Sequence, residues 1–275
     1  MLRDKLIANQ SPVDGFRWRS HEVTRIEGFS DAVFGFALTL LIVSLEVPKT
    51  STELLQTMRG FGAFVITFMI LTRLWYAQFT FFRRYALEDR LTIALNLVLL
   101  FTVLFFVYPL KFLFTSMLTD PLLKGKVQTP HGLEPVLLPQ HRPLIFLIFG
   151  AGFAAVFLVF YLLYRHAYRQ REELDLDEFE LFETRHSIRR FGVAVIVGLT
   201  YFVVAGMYML PHKTEAQQRL TEVVGFALMA IFAVLLMTMA RHARHRRRVR
   251  KEWMARAVAD RSGISGGGQN DEPSR

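Results

Sequence analysis

The chain has 275 residues, of which 52% are hydrophobic, with 26 Phe and a mean hydropathy of +0.28. It is also basic, because 33 Lys+Arg against 24 Asp+Glu leave a formal net charge of +9. So many large apolar residues exclude a disordered basic protein, and the lack of Cys excludes disulfides, thiolate zinc sites, iron–sulfur clusters and cysteine nucleophiles.

Residues 1–25 carry charge and lead into the first apolar run without a small-residue cleavage site. A cleaved signal peptide is therefore not expected, and the stretch reads as a cytoplasmic N-terminal segment. Six apolar stretches follow, at 26–47, 54–82, 91–118, 143–164, 191–210 and 220–240. Each is long enough, or almost so, to cross about 30 Å of hydrocarbon. Lipid offers no partner to a backbone N–H or C=O, so such runs must be helical. The alternating segments of about ten residues that build a membrane β-barrel are absent. The expectation is an all-α polytopic membrane protein whose 26–240 domain holds six transmembrane helices.

The connections differ in character. The loop at 120–142 carries Pro121, Pro130, Pro135 and Pro139, with Pro143 just beyond it, and is expected to lack regular structure. The acidic 171–183 segment places Leu176, Phe179 and Phe182 at three-residue spacing, which predicts a short cytoplasmic helix. Residues 241–275 form a basic tail that ends in GISGGGQNDEPSR, flexible and partly disordered by composition.

Charge placement orients the chain. The segments 1–25, 83–90 and 165–190 and the tail hold 24 of the 33 cations, and the opposite side holds eight. Both termini are thus expected in the cytoplasm of a multi-pass cell-membrane protein. The basic run 241–251 follows directly on an apolar span, so it reads as a boundary that binds anionic lipid, not nucleic acid. The remaining cation, Arg73, lies inside the second span, ten residues from Arg83. That is about 15 Å, too far to snorkel easily. Pairing with Asp31 or Glu27 is expected, the alternative being a water-filled crevice.

The first span opens Arg25-Ile-Glu-Gly-Phe29-Ser30-Asp31. Asp31 is six residues past Arg25, about 9 Å deeper along a helix. A carboxylate at that depth needs a partner or water, which makes it an organiser of neighbouring helices. Alternatively, Ser30 and Asp31 lie at the interface and simply favour a helix N-terminus. Further along, Phe36, Leu40 and Val43 share one stripe of the helix. The stripe is either ordinary packing or, in four copies, a set of apolar rings that closes a pore by dewetting. Glu46 ends the span, as a carboxylate ring concentrating cations at a pore mouth or as a solvated helix end.

The Arg25-x-x-x-Phe29-Ser30-Asp31 pattern at the head of a first transmembrane helix resembles the signature of the prokaryotic relatives of transmembrane protein 175. Trp75 in the second span, Asn96 in the third and Thr39 after the motif are further matches. The resemblance implies a potassium-conducting channel with six spans per subunit, assembled as a homotetramer around the first helix. It implies that Phe29, Ser30 and Asp31 hold that helix against the second and third. It places the gate at Phe36, Leu40 and Val43, with Thr39 beside them. Two positions depart from the family pattern: Phe36 replaces an Ile or Leu, and Gln78 replaces a His three residues after Trp75.

No His-Glu-x-x-His, phosphate-binding loop or Gly-x-Ser-x-Gly is present, so no enzyme activity, metal or cofactor is expected. Gly60-Phe-Gly62 and Gly150-Ala-Gly152 lack a third glycine and fit helix packing better than dinucleotide binding. The Thr-Val-Gly-Tyr-Gly filter is also missing, so a potassium preference would not arise from that carbonyl ladder. The reading is passive conduction of monovalent cations, potassium above all. The alternatives are a secondary transporter using Arg73, Asp31 and Glu27 as a coupling site, and a membrane scaffold without transport.

Overall fold

The computed structural model describes residues 16–20, 22–43, 50–119, 126–129, 132–135 and 142–209. These form five helices: α1 (Arg25–Val43), α2 (Ser51–Tyr85), α3 (Arg90–Thr119), α4 (Arg142–Arg169) and α5 (Glu178–Met209). All but α1 contain a stretch of at least 23 residues apolar enough to span a bilayer. The expected sixth span, 220–240, and the tail lie outside the described residues.

Helix starts are set by side-chain caps. At α1, the Glu27 N–H donates to Thr24 Oγ1 at 3.3 Å, and the Thr24 N–H donates to Glu27 Oε2 at 2.8 Å. This reciprocal capping box puts Ser30 and Asp31 in the second turn of the helix. They are therefore not its cap. At α5, Asp177 and Glu180 repeat the device, at 2.8 and 3.3 Å. Helix α2 ends where Ala86 takes the left-handed conformation (φ 50°) and its N–H donates to the Phe82 carbonyl, a closure that usually calls for glycine.

Two expectations are corrected. The 120–142 loop contains a small hairpin, with β1 (Lys126–Thr129) antiparallel to β2 (Gly132–Pro135) and Thr129 opposite Gly132. Val127 and Thr129 suit a short strand, and Pro135 is the last residue of β2, opposite Lys126. The 171–183 segment is not a separate helix either. Residues 170–175 form the turn after α4. The Asp177 cap then starts α5, which continues from Glu178 through its charged turns into the apolar run. Asp175 relieves the tight reversal with a left-handed φ of 46°.

Helix α1 packs only on α2 and α3 among the described elements, α3 packs in turn on α4, and α4 and α5 form the most extensive pair. Glycines let that pair approach closely. A Cβ on Gly198 would lie 2.8 Å from the Ala154 backbone nitrogen, and one on Gly150 would lie 2.9 Å from that of Phe202. Gly152 faces the Phe106 ring of α3. These are the small-residue contacts that membrane helices use, because lipid supplies no hydrophobic force between them. At the end where the α4–α5 turn lies, an aromatic cluster joins three helices. Tyr164 packs on Phe81 (5.3 Å), Tyr85 (5.6 Å) and Phe191 (5.2 Å).

Asp89 ties the α2–α3 turn to α4. It accepts from the N–H groups of Leu91 and Thr92 and from Thr92 Oγ1, and lies 3.0 Å from His166 Nε2. Burial alone would push its pKa up, but hydrogen bonds from Thr92 and His166 outweigh that and hold the carboxyl below its ordinary value. A depressed folded-state pKa adds stability that is complete above the unfolded value, about 4. That stability is lost as pH falls through the folded value. Asp89→Asn keeps the cap but removes the charge from the Thr92 and His166 hydrogen bonds, so it is expected to lower the melting temperature in detergent at pH 7, by the equivalent of roughly 1 kcal/mol. The gap from the unsubstituted chain should close on acidification. A gap that stays constant down to about pH 3 would contradict this.

Candidate functional site

The polar residues of the opening motif converge on one buried chain of hydrogen bonds. Gln78 Nε2 of α2 donates to Asn96 Oδ1 of α3 at 3.2 Å, and Asn96 Nδ2 donates to Ser30 Oγ of α1 at 2.9 Å. Ser30 Oγ in turn donates to the Ile26 carbonyl at 2.7 Å. All three side chains are buried. One turn away, Trp75 Nε1 donates to Asp31 Oδ1 at 2.7 Å, and the Trp75 ring stacks on Phe79. Small polar side chains joined across helices are effective ties where no water competes. Gln78 fills its place through its amide, without a titrating group.

The same motif divides α1 into two faces. Glu27, Ser30, Phe34, Ala37 and Leu41 are buried against α2 and α3, at the spacing of one helical stripe. Phe36 is 57% exposed and Ile42 53%. Thr39 is also exposed, with its hydroxyl donating to the Phe36 carbonyl at 2.7 Å. No Cβ placed on Gly28 or Gly35 would meet anything within 4 Å. Leu40 is half-buried, on the border between the faces. Phe29 is 53% exposed and takes no part in the hydrogen-bond chain, and Arg25 is exposed as well. Val43 ends α1, and Glu46 lies outside the described residues. At the far end of α1, Lys111 Nζ of α3 donates to the Leu41 carbonyl at 3.4 Å, which suits a cation near a helix C-terminus.

A second anchor holds the segment that leads into α1. Glu180, fully buried at the start of α5, accepts from Arg19 Nη2 at 2.6 Å and from the Arg17 backbone N–H at 2.9 Å. Arg17 adds a guanidinium contact at 3.3 Å. Arg19 also donates to the Leu174 and Arg84 carbonyls. Phe16 is buried against Tyr85, with Arg84 over its ring at 4.7 Å. Arg83 completes the collar by donating to the Ser20 and Glu22 carbonyls and facing Glu27 at 3.6 Å. The sequence pattern missed this strap. Its only local sign was Asp177-x-x-Glu180, which reads as a capping box.

Arg73 corrects another expectation. It pairs with neither Asp31 nor Glu27, and its guanidinium lies over the Tyr76 ring at 5.9 Å. Asp31 is engaged by Trp75 and Glu27 by its own cap and Arg83. Arg73 itself is exposed, off the face of α2 that carries Gln78. The three-residue coupling site that a transporter would need is therefore not assembled.

Residues 25–106 match the family described as the endosomal/lysosomal potassium channel TMEM175. A protein of Marivirga tractuosa named a potassium channel is 41% identical over 175 residues, 63% of this chain and 70% of that relative. The chain belongs to the TMEM175 family. A second relative, a potassium channel of Streptomyces collinus, is 31% identical over 112 residues, 38% of this chain and 52% of its own length. Among solved structures, a variant of the potassium channel MtTMEM175 bound to a nanobody–MBP fusion is 32% identical, with a TM-score of 0.66. The match covers 82% of this chain and 97% of that one. The TMEM175 match begins at Arg25 and ends within α3, so it spans the motif and both helices the motif binds. This is a membrane protein of a channel family, not an enzyme.

Proposed function

We propose that this chain is the subunit of a potassium channel that conducts passively. Four copies would surround a pore lined by α1, with a sixth span at 220–240 and both termini in the cytoplasm. The observation that carries the reading is the division of α1. Its polar motif residues are spent on α2 and α3, leaving an apolar face with Phe36 and Thr39 uncovered in the protomer. A fourfold ring of such faces gives a constriction whose radius controls wetting. Phe36, Leu40 and Val43 supply the rings, and Thr39 offers oxygen contacts between them. Glu46 gathers cations at the outer mouth. Membership in TMEM175 and the potassium channels among its relatives support potassium as the permeant ion.

The test is recording in planar bilayers from the purified full chain. Currents larger in potassium than in sodium are expected, with a several-fold higher open probability in Phe36→Ala. Slow, saturating, proton-coupled flux would replace the channel with a transporter, and silence in every variant would leave a scaffold. The mass of the detergent-solubilised protein, expected to correspond to four chains, tests the ring separately.

A further inference from the structure

The end of the α4–α5 pair that carries the connecting turn holds an open-sided hollow of about 450 Å³ lined by Tyr161, Arg165, Tyr168, Arg185, Ile188 and Arg189. Three guanidinium groups share it, and no carboxylate lines it. Arg185 donates to the Tyr168 hydroxyl through Nε (3.1 Å) and Nη2 (2.9 Å). It also lies over the Tyr168 ring at 5.4 Å, while Arg171 lies over the same ring at 5.2 Å. Arg165 and Arg189 make no ion pair among the described residues. At the same end Arg17 and Arg19 face Glu180, Arg83 faces Glu27 and Arg171 faces Glu172. Like charges gathered without a counter-ion repel one another, so the hollow is built for an anion.

Its depth identifies the anion's source. Arg189 and Arg190 immediately precede the apolar part of α5, which begins at Phe191, and Arg165 and Tyr168 lie in the last turns of α4. That is headgroup level, where tyrosines and basic pockets between helices collect. The hollow is larger than a lone phosphate requires, and Tyr161 and Ile188 give it an apolar wall. Cδ2 and Cε2 of the Tyr161 ring lie 3.5 Å from where a Cβ on Gly192 would be. Tyr168, having accepted from Arg185, keeps its own O–H to donate.

We propose that this hollow binds the phosphate of an anionic phospholipid headgroup, with Arg165, Arg185 and Arg189 as its ligands and the glycerol against Tyr161 and Ile188. Its three arginines belong to α4 and α5 and not to the basic run 241–251 of the sequence. Arginine suits it better than lysine, since its planar fork can meet two phosphate oxygens at once.

The full chain in detergent is titrated with phosphatidylglycerol, and bound lipids per subunit are counted by native mass spectrometry. Loss of one lipid per chain is expected in Arg185→Gln/Arg189→Gln, with affinity down about thirtyfold for two arginines. A control lacking tail charge, Arg246→Gln/Arg247→Gln/Arg248→Gln, should keep that lipid. If the double variant does not fold, Arg165→Gln and the charge-preserving Arg189→Lys carry the test, with weaker binding in both and the smaller loss in the second. Unchanged lipid retention when these arginines are replaced overturns the proposal. So does full displacement of phosphatidylglycerol by excess inorganic phosphate, which would make the ligand a soluble anion.

Discussion

Asn96→Leu is expected to lower the stability of the folded subunit by about 2–4 kcal/mol, one of the two largest effects among the substitutions considered. Asn96 is the central member of the chain that joins α1, α2 and α3, accepting from Gln78 and donating to Ser30. Leucine fills similar space but leaves the Gln78 amide N–H and the Ser30 lone pair without partners in a buried place. An orphaned buried polar group costs about 1–3 kcal/mol, more than the roughly 0.6 kcal/mol typical of one interhelical hydrogen bond in a membrane. Ser30→Ala should cost less, because it orphans one buried group, the Asn96 Nδ2 N–H, where Asn96→Leu orphans two. Melting temperatures in detergent check the order. A Ser30→Ala loss as large as that of Asn96→Leu would remove Asn96 from the centre of the network.

Glu180→Ala is expected to cost about 3 kcal/mol, near the lower end for removing one member of a buried ion pair. Glu180 is fully buried, whereas the Arg17 side chain is 51% exposed and that of Arg19 is 16% exposed. The loss therefore falls mainly on Arg19, left with only the carbonyls of Leu174, Arg84 and Asp175. Arg17→Ala should cost no more than about 1 kcal/mol, as exposed pairs do. Limited trypsin digestion reads the same event locally. Cleavage after Arg17 and Arg19 should accelerate in Glu180→Ala, because the strap is released from α5. Equal digestion rates would mean that Phe16 and Arg83 hold the strap without Glu180. Salt should change the Glu180 effect little, since a buried pair is poorly screened.

Hydropathy located the described helices, but not their ends or their faces. The observed ends extend past the apolar runs wherever a cap or a charged turn continues the helix, as at Asp177 and Tyr85. The capping boxes Thr24-x-x-Glu27 and Asp177-x-x-Glu180 are local patterns that hydropathy does not register. The reading of 171–183 overlooked the second one, and so divided a continuous α5. Rotation was harder to read. A helix that is apolar all round has almost no periodic signal, so only Ser30, Asp31 and Asn96 marked which side faces protein. The Glu180 strap was illegible because its partners lie about 160 residues away in sequence. Arg73 misled for a related reason. Its place inside α2 was correct, but position along a helix does not specify the azimuth of a side chain, and Arg73 lies over Tyr76.

The polar ties of α1 are concentrated in its first two turns, from the Thr24 cap to Asp31, with the strap just before them. Beyond Phe34 the helix rests on apolar contacts and on Lys111 at the Leu41 carbonyl. With most polar ties at its first turns, a tilt about that end displaces each residue in proportion to its distance from it. Phe36 stands five residues past Asp31 and Val43 twelve, about 8 and 18 Å along the axis. A rigid tilt of about 5° at the first turns carries Val43 sideways by roughly 1.6 Å but Phe36 by only roughly 0.7 Å. In the proposed pore the Phe36 ring would therefore be the fulcrum side of the aperture, and the Val43 ring would have the larger stroke.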